Sequence, residues 1–195
     1  MGMRGRIILI RHGQSVGNAM RTFTSTHEVP LTDLGREQAR RSGEILGEQF
    51  APAHLYSSPY RRALQTAEII GEVLALPLDI EADVREQNLG ELQGRPYESI
   101  LETPGIRELP RWELRPPGGE TLVEVRARAG PVLERIARSH PEEHSVVVCH
   151  GGTIFALWAH ALGTWEGAKA VRNGALVAIP HDGSAFSEPE LISGD

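Results

Sequence analysis

Apolar residues fall along this chain into short unbroken runs and helical stripes that alternate with one another. Ile7 to Ile10 is a compact run ending at Arg11-His12-Gly13, the pattern of a buried strand meeting a loop. Gln14 to Pro30 holds no clean period and reads as loop. Thr32 is placed to cap a helix from about Asp33 to Gln49, with Leu31, Leu34, Ile45, Leu46 and Phe50 on or beside a mixed face. Ala53 to Ser57 predicts a second short strand, ended by Ser57-Ser58-Pro59. Pro59 suits the first turn of a helix, where its missing N–H costs nothing. Ala63, Ala67, Ile70 and Leu74 carry that helix up to Pro77. Leu78 to Val84 reads as an edge strand. From Gln87 to Gly119 the pattern breaks up around prolines, with one short helix near Pro96 to Glu102.

The helical stripe resumes at Leu122, Val125, Ala129, Val132 and Ile136, and Pro131 is expected to kink it. Ser145 to Cys149 is the strongest strand signal, followed at once by His150-Gly151-Gly152 and another helix. Ala175 to Ile179 predicts a further strand. If Val171 to Pro180 lies at a sheet edge, it could pair between subunits as a homodimer. Strands alternating with helices predict an α/β fold, a three-layer α/β/α sandwich around a central, mostly parallel sheet. His12 and His150 then both lie just past strand ends, at the carboxyl edge where open α/β sheets place their sites.

Composition narrows the class. The 195 residues fit one domain, spanning 1–195, and 40% apolar content is enough for a core without a disulfide or structural metal. Cys149 is the only cysteine, which excludes an intramolecular disulfide. The formal net charge of −6 argues against nucleic acid and anionic membranes as partners, but says nothing against a small basic pocket. Ile7 to Ile10 is too short for a signal or membrane-spanning segment, and Met1-Gly2 lacks the hydroxyl residue that myristoylation needs. A cytoplasmic location is the expectation.

Candidate chemistry clusters at the strand ends. A histidine past a buried strand is held rigidly, and the glycine after it permits a tight turn. An imidazole attacks phosphorus only when neutral, with its other nitrogen protonated and fixed by a hydrogen bond; a turn carbonyl such as that of Gly13 would serve. Arg11 supplies a planar fork that matches phosphate oxygens. If the two strands are adjacent, His150 comes beside His12, where as a cation it would stabilise charge on a transferring group. The helix starting near Pro59 attracts anions through its free N–H groups. Arg61 and Arg62 point about 100° apart on that helix, so only one faces a pocket. Among Asp83, Glu86 and Glu91, one acid would protonate a leaving alkoxide and later deprotonate water; spacing alone does not choose between them. His54, His140, His144, His160 and His181 show no evident partners.

These blocks together resemble the histidine phosphatase superfamily, with its phosphoglycerate-mutase-like fold. Arg11-His12-Gly13-Gln14-Ser15 with Asn18, then Pro30-Leu31-Thr32 and Gly35, is similar to its opening. Ser57-Ser58-Pro59, Arg62-Ala63 and Gln65-Thr66-Ala67 match a second block, Glu86, Gly90 and Gly94 a third, Pro117-Gly118-Gly119-Glu120 a fourth, and Cys149-His150-Gly151-Gly152 the last. The resemblance implies that His12 is the phosphorylated nucleophile and Glu86 the proton donor. It places Arg11, Asn18, Arg62, His150 and Gly151 around the phosphate. No cofactor and no metal are implied, because arginines neutralise the charge that Mg²⁺ would otherwise meet. Thr26-His27-Glu28 departs from the usual segment before Pro-Leu-Thr, so His27 is a candidate only for a loop contact.

The resemblance admits a phosphatase or a mutase. Mutases carry a long basic insertion after the third block; here Gly94 to Pro117 is short, and Arg95, Arg107, Arg111 and Arg115 stand singly. Hydrolysis of a small phosphorylated metabolite is therefore the expectation, with a variable lid at about 94–117 setting specificity. Tyr97 and Trp112 are placed to stack on substrate or to pack the lid onto the body, the latter being the expectation for Trp112. Two other classes compete. A non-catalytic phospho-ligand binding module would have no use for a general acid. A metal hydrolase using His12 and His150 would need further ligands at metal spacing.

Overall fold

The computed structural model describes residues 4–24 and 26–193. Among these residues, six strands form one sheet: β1 (Gly5–Arg11), β2 (His54–Ser57), β3 (Leu78–Ile80), β4 (His144–Cys149), β5 (Leu176–His181) and β6 (Glu190–Ser193). Their order is β3-β2-β4-β1-β5-β6. β3, β2, β4 and β1 pair in parallel with one another, while β5 pairs antiparallel with both β1 and β6. Five α-helices accompany them: α1 (Val16–Ala19), α2 (Asp33–Gln49), α3 (Arg61–Leu74), α4 (Leu122–Ser139) and α5 (Gly151–Leu162).

The side-chain alternation of β1 explains why its run is apolar throughout. Ile7 and Leu9 pack with Val147 against Leu133 and Ile136 of α4 and Ile154 and Trp158 of α5. Ile8 and Ile10 face the other way, with Val146 and Val148 against Leu46 of α2 and Ala63, Ala67 and Ile70 of α3. Both faces of β1 are covered, so Ile7 to Ile10 is apolar at both parities. Each fully buried isoleucine or leucine contributes about 1.5–3 kcal/mol relative to exposure. The mixed sheet between two helical layers is the expected sandwich.

Local capping sets the helix ends. Thr32 accepts from the N–H of Gly35 at the start of α2, and Thr121 with Glu124 forms a capping box on α4. α3 and α5 have no side-chain cap at their N-termini. Both begin at the carboxyl ends of parallel strands, so their unpaired N–H groups are directed to the same edge of the sheet.

Several boundaries differ from the sequence reading. The stretch read as loop, 14–30, contains α1, a single turn held by the Ser15–Asn18 capping box and too short to show a period. β3 stops at Ile80, and a 3₁₀ turn over Ala82–Val84 takes up the rest of the predicted strand. α4 continues as one helix through Pro131. β5 is not an edge: β1 pairs with one side and β6 with the other, so its ladder is not open to a second subunit. β6 escaped the sequence reading because four residues with a polar one at each end give little alternation. No described helix is long and apolar enough to cross a membrane.

Candidate active site

β1 and β4 are parallel neighbours with Arg11 opposite Cys149, so His12 and His150 leave the sheet side by side. Their ring centroids are 5.2 Å apart in an edge-to-face arrangement. The N–H of His12 still donates to the Cys149 carbonyl at 3.0 Å, which extends the ladder one residue beyond the strand.

His12 is buried, and Nδ1 lies 2.7 Å from the carbonyl oxygen of Gly13. Nε2 lies 3.2 Å from Nε of Arg62. A carbonyl only accepts and a guanidinium only donates, so the proton is on Nδ1 and the lone pair on Nε2. Burial, then the charges of Arg62 and Arg11, hold its pKa well below the usual histidine value. The turn that sets this geometry is tight. A Cβ on Gly13 would stand 2.1 Å from the Gly35 carbonyl oxygen, and the N–H of Gly13 donates to Thr66 Oγ1 at 3.1 Å.

Arg62 is 1% exposed in the first turn of α3, whereas Arg61 beside it is exposed. Its Nη1 and Nη2 donate to the carbonyls of Thr26 and Thr24 at 3.0 and 2.9 Å, which locks the guanidinium plane. Arg11 donates from Nη1 to the Val171 carbonyl at 2.7 Å, and its buried Nε has no partner among the described residues. Asn18 accepts from Ser15 and from Asn173 Nδ2 (3.1 Å), and donates to Tyr97 Oη at 3.0 Å.

Glu86 stands over the N-terminus of α5. Its Oε1 accepts from the N–H of Gln87 at 2.9 Å, and a Cβ on Gly152 would approach that oxygen to 2.7 Å. The loop carrying Glu86 is clamped by Arg128, which donates to the carbonyls of Asp83, Arg85 and Glu86 and binds Glu120 through two nitrogens. Burial pushes the Glu120 carboxyl up, but the bonds from Arg128 and the Asn88 N–H outweigh it and hold it ionised.

A cavity of about 250 Å³ brings together Arg11, His12, Asn18, Arg62, Glu86 and Gly151, six of the seven residues expected at the site. His150 is the exception. It is fully buried behind His12, with Nε2 2.7 Å from Ser58 Oγ, and burial with the nearby Arg62 depresses its pKa far below the ordinary value. Burial and the surrounding positive charges therefore disfavour the cationic form expected of it. His27 is exposed and packs on Tyr60 at 4.6 Å, outside the cavity wall.

The structure adds residues the sequence did not single out. Arg111, from the 94–117 segment, lines this cavity and an adjoining apolar one of about 510 Å³ walled by Phe23, Leu89, Tyr97, Ile106 and Leu114. Asn173 reaches the carbonyls of His12 and Gly13, and Ser58 supports His150. Trp112 stacks on Trp165 at 5.6 Å, attaching the segment to the body as expected. Asn173 lies 161 positions from His12, in no motif that the sequence offered, so only the fold brings it to the site. Among the described residues, three donors of the metal-binding kind converge at His54, His140 and Glu143, not at this cavity.

The family model of the histidine phosphatase superfamily (branch 1) matches residues 7–187. The chain belongs to that superfamily. This histidine phosphatase is 37% identical over 161 residues to phosphoglycerate mutase-like protein 4 of Arabidopsis thaliana, covering 80% of this chain and 70% of that one. It is 32% identical over 198 residues to the glucosyl-3-phosphoglycerate phosphatase of Mycolicibacterium vanbaalenii, covering 94% and 88%. A solved mycobacterial glucosyl-3-phosphoglycerate phosphatase in complex with VO3 superposes with a TM-score of 0.85 at 28% identity, over 97% and 99% of the two chains. The chain is accordingly an enzyme, a phosphomonoester hydrolase of the histidine phosphatase superfamily.

Proposed function

We propose that this histidine phosphatase hydrolyses a small phosphorylated metabolite without a metal, in two steps through a phosphohistidine at His12. The observation that carries the reading is the fixed tautomer of His12, whose Nε2 lone pair lies beside Arg62 in a cavity that also holds Arg11 and Glu86. In the first step Nε2 attacks phosphorus, the P–O bond to the alcohol breaks, and Glu86 gives its proton to the leaving oxygen. In the second, Glu86 takes a proton from water as that water attacks phosphorus. The P–N bond then breaks, inorganic phosphate leaves and His12 is neutral again.

Arg62 moves its Nε–H bond from His12 to a phosphate oxygen as substrate seats, so one group both guards the lone pair and meets the developing charge. Arg11, with an unpartnered Nε, and the uncapped starts of α3 and α5 supply further positive potential. This set of donors does the work that a divalent ion does elsewhere. The adjoining apolar cavity, with Arg111 at its border, is placed to receive the alcohol part of the substrate.

Phosphate release from a panel of phosphorylated metabolites in EDTA, with His12→Ala as control, tests the proposal. A preferred ester whose hydrolysis survives EDTA and disappears in His12→Ala supports it. Substantial hydrolysis by His12→Ala, or loss in EDTA restored by a metal, would overturn it. Interconversion of 2- and 3-phosphoglycerate without release would instead identify a mutase.

A further inference from the structure

We propose that His54, His140 and Glu143 form a binding site for a borderline divalent ion such as Zn²⁺, at the opposite end of the sheet from the phosphate cavity. His54 opens β2, His140 caps the C-terminus of α4, and Glu143 lies in the turn that leads into β4. Catalytic residues occupy the carboxyl ends of these parallel strands, and this triad their amino ends.

Nε2 of His54 and Nδ1 of His140 lie 3.0 and 3.2 Å from the same oxygen, Oε2 of Glu143. The imidazoles are stacked with centroids 3.5 Å apart and planes 26° from parallel, so both nitrogens are presented on one side. One donor atom from each residue falls within 4.8 Å of the others. A tetrahedral ion with ligands at about 2.0–2.1 Å has ligand–ligand edges of about 3.3 Å. Two of the three edges are already close to that length, and an ion between the donors would replace the hydrogen bonds with little movement.

The surroundings fit as well. Tyr56 Oη lies 3.1 Å from Nε2 of His140, so it can accept that N–H and leave Nδ1 free as a ligand. The backbone beneath is anchored, since the Glu143 N–H donates to the His140 carbonyl and the Ala53 N–H to the His144 carbonyl. The side chains of His54 and His140 are 29% and 17% exposed and that of Glu143 54%, which leaves an entry path and room for water as a fourth ligand. Two imidazoles and one carboxylate favour Zn²⁺, Ni²⁺ or Cu²⁺ over Mg²⁺ or Ca²⁺.

The test is calorimetric titration of the EDTA-stripped, desalted full chain with ZnCl2, followed by thermal melts. His12→Ala serves as background, so that zinc on the catalytic histidines is not counted. One saturable equivalent of Zn²⁺ is expected, raising Tm by roughly 5–10 °C at about a hundred times Kd, while Mg²⁺ does nothing. His54→Ala, and separately the conservative Glu143→Gln on the exposed partner, should each weaken binding at least tenfold and remove the Tm shift. Glu143→Gln keeps the test decisive if His54→Ala fails to fold. Absence of saturable binding, or binding that both substitutions leave unchanged, overturns the site.

Discussion

The Nε–H of Arg62 and the lone pair of His12 Nε2 meet at 3.2 Å, while the opposite edge of the imidazole is pinned to the Gly13 carbonyl at 2.7 Å. The imidazole is thereby held in one tautomer, with its lone pair beside a guanidinium that also lines the cavity. Replacing Arg62 by lysine keeps the charge but loses the fork, and leaves the Thr24 and Thr26 carbonyls short of donors. Arg62→Lys should cut kcat/KM about 100-fold or more on any ester while the protein still melts cooperatively. A loss of only a few-fold would show that the guanidinium is not what holds the phosphate.

Glu86 should reveal itself through leaving-group dependence. Glu86→Gln is expected to slow alkyl phosphates about 100-fold and p-nitrophenyl phosphate far less, because nitrophenolate departs without a proton. Equal losses on both substrates would remove Glu86 from the acid role.

The two glycines after His150 should behave differently. A Cβ on Gly152 meets Glu86 Oε1 at 2.7 Å, whereas one on Gly151 meets Arg11 Cζ at an ordinary 3.4 Å. Gly152→Ala should therefore reproduce the leaving-group signature of Glu86→Gln, and Gly151→Ala should stay within a few-fold of the parent. Steady-state kinetics on the same two substrates decide it; identical behaviour of the two variants would contradict the packing argument.

Arg128 does not line the cavity and is predicted to act by positioning Glu86. Arg128→Met frees the carbonyls of Asp83, Arg85 and Glu86 and leaves Glu120 without its two-nitrogen partner. Stability should fall by about 1–3 kcal/mol in denaturant melts. On alkyl phosphates kcat should fall about tenfold or more, and combining the change with Glu86→Gln should add almost nothing. Full additivity would mean that Arg128 supports the fold alone.

Acid should weaken the fold through the site itself. His12 and His150 have folded-state pKa values depressed well below 6.5, chiefly by burial, so the unfolded chain binds protons that the native chain does not. Their contribution is complete above about pH 6.5 and is lost as pH falls below it. The expected slope is about 1.4 kcal/mol per pH unit for each histidine. Urea melts between pH 5 and 7.5 measure it, and His12→Asn with His150→Asn should flatten the curve by about two such slopes. An unchanged slope in the double variant would mean that neither ring resists protonation.

Much of the frame was legible in one dimension because it rests on local periodicity. Short β-branched runs such as Ile7 to Ile10 and Ser145 to Cys149 fit strands covered on both faces, and the stripe from Ala63 to Leu74 fits a helix. Their alternation dictates the layers. The strand-end placement of Arg11-His12-Gly13 and His150-Gly151 followed from the same pattern; helical spacing said only that one of Arg61 and Arg62 faces a pocket, and the family resemblance pointed to Arg62. β6 and α1 were missed because elements of four residues carry too little periodicity to stand out.

What folding alone decided are relationships between residues far apart in the chain. Whether His150 is a cation or a neutral support behind His12 depends on burial and on the arginines around it, and no neighbouring letter encodes either. Arg111 and Asn173 reach the cavity, and His54, His140 and Glu143 converge, only because strands and loops from distant segments close upon one another. Sequence by itself determined the elements and the residues able to do chemistry, since those depend on side-chain type and short-range spacing. The tertiary structure decided protonation, access and partnership, because these are set by desolvation and by distances across the fold.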